Sequence, residues 1–350
     1  MRLLPAPHGA TRALARRRSA LTGRRLVRRL SDSPVAGPGD VPGHGAVFNP
    51  GLLWHEGRAH LFARAVRSGY RRNTGPGDRF TDYSSDIVVL TSVNGLSYRF
   101  AYVLAEAGTD GADCFEDPRV QRVATPAGQE LVMTYTYLPP VSRRRSGEPW
   151  HVGAHKLIWG NGRFWLEGHS RILGPKDVED KDCVVFALAG GEIALVHRVH
   201  PNAQLAVFCD FDHLWRANER YWAGHMANLA SHTLLTPTPG ALGIGAGAPP
   251  VETSRGLLMF FHERGVDGAY TMNLALLDRF TGEVISRLPY PLLAPELDWE
   301  RHGDVDNVVF VQGAHRSGDE IYLVYGAADR YVGAATASVG ELLAALADAD

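Results

Sequence analysis

Cysteine is scarce in this chain: Cys114, Cys183 and Cys209 are the only three in 350 residues. They form neither a C-x-x-C pair nor a paired framework, so a disulfide scaffold and a zinc site are both unsupported. A reducing compartment, the cytoplasm, is expected. No apolar stretch reaches the roughly eighteen residues that a membrane-spanning helix needs. Net charge is also lacking, at −2, so the molecule as a whole exerts no strong pull on nucleic acid or an anionic membrane. Acidic residues are missing from residues 1–30, which hold nine Arg; without those nine charges the −2 becomes −11 on the remainder. The same Arg residues interrupt every apolar run in that segment, which excludes a secretory signal. Three readings of the basic segment remain: a helix packed on a neighbouring subunit of a homo-oligomer, a tail, or a start codon placed too early. An acid-free, Arg-rich start also resembles a mitochondrial transit peptide, although the Arg, Ala and Gly content of the chain resembles a high-GC bacterial product.

What is present is ordinary globular composition, 45% hydrophobic and 21% charged, with 38 Gly and 21 Pro for many turns. It is arranged as a repeat. A turn residue, a short apolar run and a polar or aromatic end recur at Gly57–Arg64, Gly128–Tyr135, Gly191–Arg198, Arg255–His262 and Gly318–Tyr325. The run ends are spaced by 63 to 71 residues. A long regular period marks a radial or stacked array. Because the unit is a hairpin strand, the expected fold is all-β, a five-bladed β-propeller. Residues 1–34 read as a basic extension and linker, and residues 35–350 as the propeller, closed by a short helix over Ser338–Ala347. Asn94-Gly95 and Asn161-Gly162 are hairpin signals. Residues 210–240 read as an insertion or as blade edges. A propeller gathers its strand ends at one mouth, so residues far apart in sequence are expected to converge.

Candidate chemistry follows that logic. Glu116-Asp117-Pro118-Arg119 is the densest motif. Pro118 favours an extended Asp117, which predicts that Glu116 and Asp117 point to opposite sides, one towards the mouth. A further carboxylate, Asp329, lies just past the last repeat. Lys181, Arg198 and His262, with Tyr270 nearby, lie at or near the ends of repeat strands or in loops feeding them. Their side chains are the types that hold phosphate: a guanidinium fork, a point ammonium and neutral donors. Singly each has a plainer reading. Glu116-Asp117 is then an acidic turn, Lys181 part of a solvated charge run, His262 a core histidine and Tyr270 blade packing.

Taken together, these segments resemble glycoside hydrolase family 130, the inverting β-mannoside phosphorylases and related hydrolases. The resemblance runs in order through Phe48-Asn49-Pro50-Gly51, Ala63-Arg64-Ala65, Glu116-Asp117-Pro118-Arg119, Asp180-Lys181-Asp182 and His197-Arg198. It continues through Gly245–Val251, Phe261-His262, Tyr270, Pro291-Leu292-Leu293, Asn307–Phe310 and Tyr325–Asp329, covering roughly residues 35–345. The resemblance implies Asp117 as proton donor, and Asn49, Arg64 and Asp329 as holders of the mannose at the cleaved subsite. It implies Lys181, Arg198, His262 and Tyr270 as a phosphate cradle. A β-mannoside oligosaccharide and inorganic phosphate are then the substrates, with no metal or organic cofactor. The reaction is mannosyl transfer to phosphate with inversion, giving α-mannose 1-phosphate and a shortened sugar. One position departs from the family pattern: Glu263 follows His262 where Gly is common. Two alternatives therefore stay open, a phosphate-independent β-mannoside hydrolase with Glu263 or another carboxylate as base, and a non-catalytic sugar-binding propeller.

Overall fold

A computed structural model describes residues 25–74 and 79–349. Most of these form successive antiparallel meanders. The first comprises His44–His55, Arg58–Arg67, Ser85–Ser92 and Arg99–Ala105, and the next Cys114–Thr125, Gly128–Leu138, His151–Gly160 and Arg163–Leu166. A single parallel bridge, Ser85 to Cys114, joins these two into one sheet. Lys181–Ala187, Ile193–Arg198, Ala203–Phe208 and Thr233–Leu235 follow, then Ala241–Ala246, Gly256–Gly265, Tyr270–Leu277 and Val284–Arg287. The last sheet pairs Val309–Ser317, Glu320–Ala327 and Tyr331–Ser338, and Val27–Arg29 adds its fourth strand. That short strand lies within the stretch read as the basic extension. Residues 1–24 lie outside the described residues.

The repeats seen in the sequence are the second strands of these meanders. Their apolar runs are almost fully buried: Leu61, Phe62, Leu195, Val196, Phe260, Phe261, Leu323 and Val324 have no exposed surface. Each large core lies between two successive meanders. One joins Val184 and Val196 to Ile244 and Phe261, for example, and another joins Val47 and Leu61 of the first meander to Val324 and Val332 of the last. The first strands of neighbouring meanders pack side by side, which gathers their ends on one face.

Turn chemistry explains two of the hairpins. Asn161 and Gly162 both take positive φ (51° and 73°), the pairing a two-residue type I′ turn requires. Asn94-Gly95 differs, because there the Asn94 side chain caps the loop by accepting from the Leu96 and Ser97 N–H groups. The C-terminal helix spans Val339–Ala347, with the Ser338 hydroxyl accepting from Glu341 N–H and Leu342, Leu343 and Leu346 buried. It is not the only helix of the second half. Phe211–Arg216 and Glu219–Ala227 lie in the stretch 210–240 read as an insertion or as blade edges, each started by a side-chain cap, Asp210 and Asn218. Those caps were the available sequence signal.

Candidate active site

One cavity of about 1240 Å³ opens among the gathered strand ends. Asn49, Arg64, Asp117 and Asp329 line it, as do Lys181, Arg198, His262 and Tyr270. The side chains singled out in the sequence thus come together, although they span 280 positions from Asn49 to Asp329.

The innermost strands deliver them through irregularities. Each ladder slips at a bulge: between Phe48 and Gly51, between Glu116 and Arg119, and between Lys181 and Val184. Asn49, Asp117 and Asp182 sit in these bulges with φ of 47°, 53° and 54°. Left-handed backbone is uncommon outside Gly, least so for Asn and Asp. Its recurrence at corresponding bulges is the strained geometry expected of a functional site. It also corrects the reading of Glu116-Asp117. Asp117 is left-handed rather than extended, the alternation of the strand is broken, and both carboxylates turn to the same guanidinium. Arg64 Nη1 donates to Asp117 Oδ1 at 3.1 Å, and Arg64 Nη2 donates to Glu116 and, at 2.7 Å, to Tyr83 Oη.

Asn49 Nδ2 also donates to Asp117 Oδ1, at 2.8 Å. Both of these hydrogen bonds fall on Oδ1, so Oδ2 is left to act on a ligand. Asp329 completes a group of three carboxylates around one Arg. Burial pushes the Asp329 carboxyl up to about 7; Arg64 opposes this, while Asp117 and Glu116 reinforce it. Burial also raises Glu116, again against Arg64. Burial thus favours the protonated form of Asp329 and of Glu116 relative to ordinary carboxyls, the kind of perturbation that clusters at functional sites.

The cationic half adjoins it. Lys181 and Arg198 are direct cross-strand partners, which sets ammonium and guanidinium side by side. Burial and the Arg198 charge lower the Lys181 pKa. Asp180, fully buried, fixes this pair from behind. Its Oδ1 accepts from Arg198 N–H at 3.1 Å, and its Oδ2 lies 2.8 Å from His197 Nδ1. His197 Nε2 lies 3.0 Å from His225 Nε2 on the helix Glu219–Ala227, so the helical insertion backs the cradle. His262 is held by Phe310, with ring centroids 4.1 Å apart, and Tyr270 stands 6.0 Å from it.

Arg119 and Asp182, which close the Glu116–Arg119 and Asp180–Asp182 segments, join the two halves. Arg119, 2% exposed, donates to the carbonyls of Asp117 (2.9 Å), Ala246 (2.9 Å) and Gly247 (3.0 Å), and to Asp182 Oδ1 (3.2 Å). Asp182, also 2% exposed, has Oδ2 3.2 Å from Arg198 Nη1 and 3.4 Å from His262 Nε2. Burial alone would raise Asp182, but Arg198, His262 and Arg119 hold it well below the usual carboxylate range. Gly245 is required beside them, because a Cβ there would meet Asp182 Oδ2 at 2.5 Å and the His262 ring at 2.7 Å.

Glu263 faces the other way. The strand Gly256–Gly265 pairs regularly through this region, so neighbours alternate. His262 enters the cavity while Glu263 accepts from Thr238 N–H (2.7 Å), Thr238 Oγ1 (3.0 Å) and Arg287 Nη2 (2.8 Å). It pairs with neither Arg264 nor the cradle, which removes it as a base for water. Glu263→Gly is accordingly expected to leave the KM for phosphate within about twofold. It should lower stability by roughly 1–3 kcal/mol through the orphaned partners. Phosphate titration and thermal unfolding of the variant check this; a large change in phosphate KM would contradict the placement.

The family model for β-1,4-mannooligosaccharide phosphorylases, glycoside hydrolase family 130, matches residues 14–348. The chain belongs to glycoside hydrolase family 130. A β-1,2-mannobiose phosphorylase of Thermoanaerobacter sp. (strain X514) is 30% identical over 315 residues, covering 88% of this chain and 95% of that protein. A 1,2-β-oligomannan phosphorylase of the same strain is 27% identical over 318 residues, covering 88% and 96%. Among solved structures, the β-1,2-mannobiose phosphorylase of Listeria innocua in complex with β-1,2-mannobiose superposes with a TM-score of 0.73 at 19% identity, covering 92% of this chain and 99% of that one. This family 130 chain therefore has the fold of those enzymes.

Proposed function

We propose that the protein is a β-mannoside phosphorylase that works with inversion, in the cytoplasm, on a five-bladed β-propeller formed by residues 35–350 together with strand Val27–Arg29. The filled cationic half of the cavity, facing Asp117, is the observation that carries the reading. The repeated meanders, with cores between successive pairs, support the blade count. The names of the relatives that span most of the chain support a β-1,2 linkage.

In this reading Asn49, Arg64 and Asp329 hold the mannose whose C1–O bond breaks. Asp117 supplies the proton that the leaving oxygen gains, passed through the mannose 3-hydroxyl. Inversion needs the nucleophile on the opposite ring face. Phosphate is already anionic and needs no protein base. Lys181, Arg198, His262 and Tyr270 position it and balance its charge as the new C1–O–P bond forms. Classification of the family among glycoside hydrolases is compatible with this, since phosphorolysis replaces water by phosphate in the same displacement. Glu263, turned away, offers the hydrolytic alternative no base.

Arg198→Ala and His262→Ala are expected to raise the KM for phosphate about ten- to hundredfold while changing the KM for the mannoside little. A lost charge-assisted hydrogen bond costs roughly 1.5–3 kcal/mol, at roughly 1.4 kcal/mol per decade. Initial rates with each substrate varied in turn test this. Equal effects on both constants would remove the cradle assignment.

A further inference from the structure

The phosphate cradle contains a carboxylate. Asp182 lines the cavity between Arg198 and His262, in a left-handed bulge that costs backbone energy to maintain. Its Oδ1 is engaged by Arg119, but Oδ2 is buried with no hydrogen-bond partner: the Arg198 and His262 contacts fall outside hydrogen-bond geometry. Arg198 Nε and both ring nitrogens of His262 likewise make no hydrogen bond, His262 Nε2 meeting Asp182 Oδ2 only as an ion-pair contact at 3.4 Å. Oδ2 is balanced by ion-pair contacts with Arg198 and His262 that leave its hydrogen-bonding capacity unused, and a carboxylate beside an anion site is repulsive unless something between them carries a proton. Among the groups that line the cradle stands one that can only accept, since an ionised carboxylate has no proton to donate.

Resting on the phosphorylase reading, we propose that Asp182 is a specificity-determining residue. Its Oδ2 accepts a hydrogen bond from the protonated oxygen of hydrogen phosphate, so the cradle selects a tetrahedral oxyanion that still carries an O–H. Hydrogen phosphate and hydrogen arsenate keep one such proton at neutral pH. Sulfate has the same shape and charge but carries none, and its oxygens would face Asp182 Oδ2 with nothing between two negative groups. A site built around a ligand hydroxyl discriminates strongly against the analogue that lacks it, because its own polar group is left unpaired.

The test uses the full chain with a β-mannoside, inorganic phosphate, and sulfate or arsenate as competitor. Arsenate is expected to compete with phosphate at comparable concentration. Sulfate is expected to inhibit the wild type only at concentrations on the order of a hundredfold or more above the phosphate KM. In Asp182→Asn, whose amide can donate, that gap should shrink to about tenfold or less. Sulfate competing with phosphate on equal terms in the wild type would overturn the proposal, as would a folded Asp182→Asn that keeps the full discrimination. If circular dichroism shows the variant to be unfolded, the wild-type comparison of sulfate with arsenate decides alone. Cleavage by the wild type that ignores phosphate altogether would instead defeat the phosphorylase reading, so the two failures are distinguishable.

Discussion

Asp117→Asn should lower turnover by about 10²–10⁴-fold, the usual contribution of a general acid, with the fold and mannoside binding retained. The geometry makes this substitution clean. Asp117 Oδ1 accepts from Asn49 Nδ2 and Arg64 Nη1, and the amide oxygen of Asn can take both contacts. The amide nitrogen then occupies the position of Oδ2, where it can donate a hydrogen bond but cannot release a proton. Initial rates at saturating phosphate, with mannoside binding followed separately, measure the effect. A variant within a few-fold of wild type would mean that the proton comes from elsewhere. Asp329, which burial pushes up to about 7, is then the next carboxyl to replace, followed by Glu116.

Arg119→Met should be the most destabilising change in the inner ring of strands. One guanidinium there serves three carbonyls and the Asp182 carboxylate, and it ties together strands that share no ladder. Removing it strands a buried anion and three acceptors at once. Breaking a buried ion pair from one side costs roughly 3–5 kcal/mol. The midpoint of urea unfolding should fall accordingly with the slope unchanged. An unshifted midpoint would show that Arg198 and His262 alone compensate Asp182.

The fold was legible because its second strands repeat a local pattern, Gly at the turn and then an unbroken apolar run. Such runs report burial on both faces. The cavity was legible because Arg64, Arg198 and His262 end copies of that run, Asp329 lies just past its last copy, and Lys181 lies in the strand that pairs with the run ending at Arg198. The bulges were not. A left-handed Asp looks like any other Asp in sequence, and a bulge reverses the alternation on which side-chain direction is read. Glu116 and Asp117 were therefore assigned to opposite sides, and Asp182 could be read as part of a solvated charge run. Arg119 stood in a quoted motif, but its partners Ala246 and Gly247 are more than 120 positions away, and no local pattern reports them. Glu263 is the opposite case. Its strand has no bulge there, so plain alternation from His262 already turns it out of the cavity.

The most direct measurement follows a β-1,2-mannobiose digest by phosphorus and proton NMR, with and without inorganic phosphate. Phosphorolysis with inversion requires α-mannose 1-phosphate to appear in step with phosphate loss, and cleavage to stop when phosphate is withheld. Free mannose released at the same rate in both samples would contradict it.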